Sequence, residues 1–232
     1  MTALNRALGE GQVLLRMLRG VPRGGSHVER LQGFYAPQAA HYDAFRSRLL
    51  HGREELITLL ELERGMRVVE LGCGTGASLG FLGATLDGLA RYDMVDLCPA
   101  LLAQARRRAG ERRNVVVHEA DATTWSPLQA ADRVLISYAL TMIPDWRQAV
   151  ANAHAMLAPG GLLGVVDFHL PRGGRLNGFW RRWFAHDGVH LSAEHLTVLR
   201  ESLPDHWHTE RRAAMPYLPI AAPYYLFIGR RE

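Results

Sequence analysis

A glycine-rich turn at residues 70–76 carries the clearest chemical signal in this 232-residue sequence. An apolar run typical of a strand ends at Glu70, and Gly72, Gly74 and Gly76 then alternate with other residues. Glycine permits a tight turn and a close approach of the backbone to a ligand, because it has no Cβ. The start of a helix, expected directly afterwards, offers free N–H groups to a polar ligand. The spacing therefore predicts a site for a nucleotide-like cofactor.

Two acidic residues follow the next two predicted strands. Asp96 ends the second strand, where its carboxylate can accept hydrogen bonds from both hydroxyls of a ribose. Asp121 follows the third strand, where it can face an adenine ring. The turn also satisfies the dinucleotide pattern as Gly72, Gly74 and Ala77, so a nicotinamide cofactor is the alternative. Against it, an acid precedes the glycines and the sheet is expected to close with a hairpin instead of a second mononucleotide-binding half.

The elements that must position these residues alternate along the chain. From Gly65 onward, short apolar runs alternate with helical stretches, as in βαβ units of a parallel sheet. We therefore predict an α/β fold with a doubly wound, mostly parallel seven-stranded sheet, closed by an antiparallel hairpin over residues 207–214 and 222–229. Pro159-Gly160-Gly161 predicts a turn before the fifth strand. The predicted strands are Arg67–Leu71, Tyr92–Val95, Val115–His118, Arg133–Tyr138 and Leu162–Phe168, and the clearest helices are Ala100–Ala109, Trp146–Leu157 and Ala193–Leu203.

The chain outside this pattern is expected to cover the core. Residues 1–64 are predicted to form an N-terminal helical cap on a core of residues 65–232, and residues 169–195 an insert after the fifth strand. Within residues 1–20, leucines form one stripe with arginines beside it. This pattern fits a helix lying on an anionic membrane surface and equally one packed on the core.

Composition limits the class of protein. All 27 basic residues are arginine, and the formal net charge is +4, which suits anionic phosphates as well as simple solubility. No apolar run reaches the ~20 residues that a membrane span needs. Cys73 and Cys98 are expected to be free thiols, and the N-terminus lacks a secretory pattern, so we expect a cytoplasmic protein, peripheral on the inner membrane face. The arginines are dispersed, which disfavours nucleic acid.

These motifs together resemble the class I S-adenosylmethionine-dependent methyltransferases, across residues 65–230. The resemblance implies S-adenosylmethionine as the cofactor, with the glycines around its methionine part. It also implies that Asp96 binds the ribose and that Asp121 faces the adenine N6. The candidate cofactor-binding residues are Glu70, Gly72, Gly74, Gly76, Asp96, Leu97, Asp121, Ala122 and Tyr138.

Candidate catalytic residues lie where strands four and five end. An amine acceptor must be neutral to attack, so a group that takes its proton is expected. Tyr138 and His169 are the candidates, with packing and an ordinary loop histidine as the alternatives. No Asn-Pro-Pro-Tyr or Asp-Pro-Pro-Tyr follows strand four, which argues against methylation of a base or amide nitrogen. His186 and His190 lie four residues apart, but no clear third ligand accompanies them, and no metal site is expected.

Three further segments narrow the resemblance. Residues 34–38, 140–146 and 179–184 are similar to the diacylglyceryl-homoserine N-methyltransferase (BtaB) family of bacterial betaine-lipid synthesis, from about residue 30 onward. The resemblance implies that a lipid amine is methylated three times at a membrane surface, with an aminocarboxypropyl transferase as partner. Aromatic faces would suit the quaternary ammonium product, and arginines its carboxylate. The candidate substrate residues are Tyr35, Tyr42, Arg46, Arg175, Trp180 and Arg181.

Three alternatives remain open at this point. Methylation of phosphatidylethanolamine would need nearly the same binding groups in the site. A soluble small-molecule methyltransferase is the next alternative, and a non-catalytic S-adenosylmethionine-binding subunit is the last.

Overall fold

The computed structural model describes residues 24–36, 49–186, 188–215 and 220–232. The stripe predicted over residues 1–20 lies outside these ranges, as do the candidate substrate residues Tyr42 and Arg46. Within the described ranges, every helix is too short or too polar to span a bilayer.

Seven strands form one sheet at the centre of the molecule, in the spatial order β3-β2-β1-β4-β5-β7-β6. Neighbours among the first five strands run parallel, whereas β7 is antiparallel to both β5 and β6. This arrangement confirms the predicted sheet and its closing hairpin. The strands are β1 (Arg67–Leu71), β2 (Arg91–Asp96), β3 (Val115–Glu119), β4 (Ala131–Ser137), β5 (Leu157–Phe168), β6 (His206–Ala214) and β7 (Ala221–Arg230).

Helices cover both faces of the sheet. Because side chains alternate along a strand, Val69 packs into one apolar cluster and Val68 into another on the opposite face. The first cluster lies under α6 and α8 and the second under α2 and α5. The helices are α1 (His27–Tyr35), α2 (Arg53–Leu59), α3 (Leu79–Leu82), α4 (Thr85–Gly88), α5 (Pro99–Ala109), α6 (Trp146–Met156), α7 (Asn177–His186) and α8 (His195–Ser202), with a 3₁₀ turn at Leu140–Met142.

Helix α1 is fixed at both ends. Ser26 begins it with a capping box, in which Ser26 Oγ accepts a hydrogen bond from the Glu29 backbone N–H at 3.2 Å and the Glu29 carboxylate accepts one from the Ser26 N–H at 2.6 Å. Further along, Gln32 Oε1 accepts a hydrogen bond from the Ala100 N–H at 3.1 Å, at the start of α5. These contacts hold Tyr35, at the end of α1, beside the carboxyl edge of the sheet.

The turn predicted at Pro159-Gly160-Gly161 is found as an irregularity inside β5, where the pairing with β4 shifts register, and not before the strand. Strand β5 begins at Leu157, directly after α6, because Leu157 already pairs with Ala131 of β4. Gly160 adopts a φ of 75° and donates its N–H to the Arg231 carbonyl at 2.8 Å. Pairing with the C-terminal residues thus extends the strand through a sequence that resembles a turn.

Candidate active site

A cavity of about 280 Å³ opens at the carboxyl edge of the sheet. It lies beyond the ends of β1 and β4, where the chain order of the sheet reverses and open α/β sheets bind their ligands. Its size is close to the lower limit, about 300 Å³, of typical small-molecule sites. The cavity therefore marks the candidate site.

The glycine turn forms the floor of the cavity. Gly72 and Gly74 have φ angles of 72° and 54°, a left-handed conformation that glycine adopts without strain. The N–H groups of Gly72 and Cys73 donate to the Val95 carbonyl at 2.8 and 3.0 Å, which anchors the turn to β2. A Cβ added to Gly72 would lie 2.3 Å from the Cβ of Ala139, so position 72 has no room for a side chain.

Asp96 joins the turn to the end of β2. Its Oδ2 accepts a hydrogen bond from the Gly74 N–H and its Oδ1 one from the Cys98 N–H, each at 2.8 Å. Burial raises the pKa of this carboxyl, and the backbone hydrogen bonds oppose that rise. A carboxylate offers about four lone-pair positions, and the backbone N–H groups do not use all of them, so Asp96 can still accept a hydrogen bond from a ribose hydroxyl. Asp96 and the following Leu97 both line the cavity.

Asp121 and Ala122 line the far end of the cavity. Asp121 Oδ1 accepts hydrogen bonds from the backbone N–H and the hydroxyl of Thr123, at 2.8 and 2.7 Å. Both bonds use Oδ1, and the exposed carboxylate keeps Oδ2 for a ligand amino group. The side chain therefore fixes its own loop and can also face an adenine.

Glu70 and Gly76 support the turn from below. The Glu70 carboxylate is 1% exposed and accepts hydrogen bonds from Ser78 Oγ at 2.5 Å and from the Tyr92 hydroxyl at 2.9 Å. It borders the cavity, but these two bonds hold the chain after the turn against β2. Gly76 lies away from the cavity, and a Cβ there would come within 2.6 Å of Met94 Cε. Close packing and a φ of 70° explain the glycine at this position.

Two buried polar atoms at the cavity lack hydrogen-bond partners among the described residues. They are Arg53 Nε, on the first residue of α2, and Ser137 Oγ, on the last residue of β4. A buried polar group without a partner costs stability, about 1–3 kcal/mol each. A ligand with a carboxylate and an ammonium, as in an amino acid, supplies the missing partners. Sequence reasoning missed both residues, because neither belongs to a recognisable motif.

Tyr138 is a strained residue on the cavity wall. Its φ is 54°, which is uncommon for a residue with a side chain and clusters at functional sites. Its hydroxyl donates to the His51 carbonyl at 2.8 Å, and its ring meets Phe168 edge to face at 4.8 Å. Burial raises the pKa of this phenol well above its ordinary value. These contacts fit a wall of the cavity better than a proton acceptor.

Thr141 and Asp167 form a pair that sequence reasoning did not select. Thr141 lines the cavity, and its hydroxyl donates to Asp167 Oδ1 at 2.8 Å. The Thr141 N–H lies 3.2 Å from Oδ2, and the Phe168 N–H donates to Oδ1 at 2.7 Å. Burial raises the pKa of Asp167 to about 7, although these hydrogen bonds lower it. The cavity thus has a titratable carboxyl behind one hydroxyl.

His169 does not reach the cavity, so the role predicted for it is revised. Its ring is 4% exposed, and Nε2 lies 3.0 Å from Glu210 Oε2 on β6. Burial lowers the pKa of the ring, and Glu210 opposes that shift. His169 lies on the same sheet face as Asp167, but its ring is directed toward β7 and β6, where it meets the ring of Tyr225 at 5.8 Å.

The candidate substrate residues separate into two groups. Tyr35, which is 6% exposed, lines the cavity. Trp180 is 2% exposed and packs against Phe184 inside an apolar cluster, so it belongs to the core and does not contact the cavity. Arg175 and Arg181 are exposed and lie outside the cavity lining.

Comparison with known proteins agrees with this geometry. Residues 68–161 match the family profile described as "Methyltransferase domain". The fold is similar to that of the N-methyltransferase NodS from Bradyrhizobium japonicum in complex with S-adenosyl-L-homocysteine, with a TM-score of 0.63, 21% identity, and coverage of 89% of this chain and 99% of that one.

Two curated relatives extend the comparison. The chain is 35% identical over 127 residues to a trans-aconitate 2-methyltransferase of Variovorax paradoxus, covering 54% of this chain and 48% of the relative. It is 27% identical over 181 residues to a 2-phytyl-1,4-naphtoquinone methyltransferase of Thermosynechococcus vestitus, covering 75% and 80%. The chain spans about half the length of the trans-aconitate methyltransferases it matches.

The matched segment is therefore a methyltransferase domain of the class I type, and its cofactor is S-adenosylmethionine. A nicotinamide cofactor, the alternative that the glycine spacing left open, does not fit this match.

Proposed function

We propose that this chain, with its S-adenosylmethionine-dependent domain, methylates the amine nitrogen of an amphiphilic acceptor, the headgroup of a lipid. The observation that carries the proposal is the buried carboxylate of Asp167 behind Thr141, in a part of the cavity that is otherwise apolar and aromatic. An anionic group in such surroundings attracts an ammonium and can take its proton. One apolar cluster at the cavity wall contains Leu50, Tyr138, Phe168 and Val189, and a second contains Leu31 and Tyr35.

The charge of the cavity argues against a polycarboxylate acceptor. Trans-aconitate, the substrate in the name of several relatives, carries three carboxylates that need cationic partners. Among the described residues that line the cavity, Arg53 is the only one with a basic side chain. Four lining residues are acidic, namely Glu70, Asp96, Asp121 and Asp145. One arginine cannot pair with three carboxylates, so this lining supports a cationic or neutral acceptor.

The cofactor is proposed to lie along the glycine turn. Its carboxylate would pair with Arg53 and its ammonium would bond to Ser137 Oγ. Arg53 Nε and Ser137 Oγ are the cavity atoms without a hydrogen-bond partner in the described part of the chain. Its ribose would bind Asp96 and its adenine would face Asp121. The cofactor supplies an electrophilic methyl group, which passes to the nitrogen in line with the departing sulfur.

Thr141 and Asp167 are proposed to take the proton of the acceptor. An ammonium has no lone pair to form the new bond to carbon, so it must first lose a proton. Thr141 Oγ1 accepts this proton as its own proton passes to Asp167 Oδ1, which lies 2.8 Å away. The nitrogen is then neutral, and Asp167 holds the proton until it is released to solvent. Positioning by the cavity walls contributes the remaining catalysis.

Aromatic rings support more than one methylation. Tyr35, Tyr138 and Phe168 border the acceptor side of the cavity, and each ring face attracts a quaternary ammonium by about 0.5–2 kcal/mol. The resemblance of residues 179–184 and neighbouring segments to betaine-lipid N-methyltransferases supports diacylglyceryl-homoserine as the acceptor. The name of the relative that covers 75% of this chain, a phytyl-naphtoquinone methyltransferase, supports a lipid-like acceptor more generally. The partner transferase expected from the resemblance stays a prediction.

Three acceptors offered to the full chain test the proposal. Diacylglyceryl-homoserine and phosphatidylethanolamine are presented in one mixed micelle with methyl-labelled S-adenosylmethionine, and trans-aconitate is added in solution. Mass spectrometry should find one to three labelled methyl groups on diacylglyceryl-homoserine, and the variant Thr141→Val should slow this reaction. Label on phosphatidylethanolamine alone would show that this lipid, and not diacylglyceryl-homoserine, is the acceptor. Label on trans-aconitate alone would reject a lipid acceptor. If the chain binds the cofactor but methylates none of the three acceptors, the result would favour a non-catalytic subunit.

A further inference from the structure

Helix α7 exposes apolar side chains that the core does not use. Phe179 and Trp183 are 42% and 39% exposed, and their rings stack with centroids 5.8 Å apart. Leu176, just before the helix, is 46% exposed and lies three residues from Phe179, on the same side. The other face of the helix is buried, because Trp180 and Phe184 are 2% and 4% exposed. One short helix thus carries one exposed aromatic pair, Phe179 and Trp183, and one buried pair, Trp180 and Phe184.

Residues 169–186 carry only basic charge, and the first acidic residue after them is Asp187. Arg175, Arg181 and Arg182 are exposed on and beside α7. Residues 169–186 contain four arginines and no aspartate or glutamate. Several surface arginines elsewhere in the fold pair with acids, for example Arg211 with Glu55 at 2.5 Å. The basic charge of α7 has no such local compensation within this segment, so it favours an anionic partner.

The buried face of α7 packs against the wall of the cavity. The buried ring of Phe184 lies 4.4 Å from that of Phe168, centroid to centroid, and Phe168 lines the cavity. Two aromatic rings, those of Phe184 and Phe168, therefore lie between α7 and the cavity.

We propose that α7 docks onto the surface of an anionic lipid bilayer, with Phe179 and Trp183 inserted at the level of the headgroups. Aromatic rings favour this interface, and an amphipathic helix with arginines on its polar sides is attracted to anionic lipids. The proposal goes beyond the proposed function, since binding to a bilayer does not depend on which acceptor is methylated. The docking surface consists of Leu176, Phe179, Trp183, Arg175, Arg181 and Arg182.

Vesicle flotation with the full chain tests this surface. Vesicles of phosphatidylcholine with about one third of the anionic lipid phosphatidylglycerol should recover the wild-type protein. Vesicles of pure phosphatidylcholine should recover much less. Phe179→Ser with Trp183→Ser, and separately Arg181→Glu with Arg182→Glu, should each lower recovery at least fivefold. Trp207→Ser is the matched control, because Trp207 is 45% exposed on β6, away from α7.

Two measurements make the result decisive. Affinity for S-adenosylmethionine should be unchanged in each variant, since none of the substituted residues lines the cavity, and this shows that the fold is intact. Methylation of an acceptor in detergent micelles should also be unchanged, which separates this proposal from the proposed function. Wild-type recovery of the Phe179→Ser, Trp183→Ser protein would overturn the proposal. The proposal would also be overturned if Trp207→Ser lowered recovery as much as the α7 variants do. It would be overturned as well if uncharged vesicles recovered the wild-type protein as well as anionic vesicles do.

Discussion

Thr141 lies between the cavity and Asp167, with its hydroxyl 2.8 Å from Asp167 Oδ1. The two residues come from different parts of the chain, after β4 and at the end of β5, and the parallel pairing of these strands brings them together. Asp167 has no exposed surface, and burial raises its pKa to about 7. The groups that face it are the hydroxyl of Tyr225 on β7 and the phenol of Tyr138, and both stay neutral at that pH.

This pair predicts how activity depends on pH. Asp167 accepts a proton only as the carboxylate, so kcat of the wild-type chain should rise as pH increases through about 7. Asp167→Asn keeps an oxygen that accepts a hydrogen bond from Thr141 but cannot take a proton. Its kcat should fall by about 10²–10⁴, the usual contribution of general acid–base catalysis, and the inflection near pH 7 should disappear. A kcat profile at saturating acceptor from pH 5.5 to 9 measures both effects.

Variants at Thr141 provide the control for this prediction. Thr141→Ser keeps the hydroxyl and should keep the inflection, whereas Thr141→Val has a similar shape without a proton to pass. A Thr141→Val enzyme with the rate and pH profile of the wild type would show that the pair has no part in proton transfer.

Arg53 is expected to recognise the carboxylate of the cofactor. Arg53→Gln should weaken S-adenosylmethionine binding by about 1.5–3 kcal/mol, the range for a hydrogen bond to a charged group. The same variant should bind 5′-methylthioadenosine as the wild type does, because that molecule lacks the carboxylate. Calorimetric titration of both ligands measures the difference.

The paired ligands make this prediction specific to the carboxylate. Arg113→Gln is the control, since Arg113 is exposed and lies outside the cavity lining. If Arg53→Gln weakened both ligands equally, Arg53 would be shaping the cavity and not pairing with the carboxylate.

The sequence alone predicted those parts of the site that follow from local pattern. Alternating apolar runs placed β1 at Arg67–Leu71, the same bounds as in the structure, and the glycine spacing located the turn. Asp96 and Asp121 were found because each follows a strand that the pattern had already located. In each case the signal lies within a few consecutive residues.

The remaining parts depend on contacts that the sequence does not display. Arg53 reaches the cavity from α2 only through the packing of that helix, and Asp167 gains its role from a threonine that follows another strand. His169 looked like the better candidate at the end of β5, but the sheet directs it to Glu210. Trp180 was a candidate for substrate contact, but the sequence could not tell which face of α7 is buried.

Asp96 is expected to bind the ribose of the cofactor. Asp96→Ala should lower affinity for S-adenosylmethionine by about 1.5–3 kcal/mol, since a charged hydrogen-bond acceptor is lost. Part of this loss would come from the Gly74 and Cys98 N–H groups, which the carboxylate also holds. The affinity of Asp96→Ala for adenine, which has no ribose, should fall less than its affinity for adenosine. Asp87→Ala on the exposed side of α4 is the control, and an unchanged adenosine affinity in Asp96→Ala would contradict the assignment.

His195 is a buried histidine without a polar partner. The residue is 0% exposed, and both ring nitrogens lack hydrogen-bond partners among the described residues. Its ring meets that of Trp146 edge to face at 4.4 Å. Burial lowers the pKa of His195 from 6.5 to about 4. The folded protein therefore keeps this ring neutral at a pH where the unfolded chain binds a proton.

This difference should make the fold sensitive to acid. The depressed pKa contributes stability above pH 6.5, and that contribution falls as the pH drops toward 4. Between pH 8 and pH 5 the wild type should lose about 2 kcal/mol of its free energy of unfolding from this residue alone. His195→Leu removes the titrating ring, so its stability relative to the wild type should increase by that amount over the same interval. Denaturant unfolding at both pH values measures the change. His190→Leu, at an exposed histidine, is the control, and an equal pH response in the His195→Leu and wild-type proteins would refute the prediction.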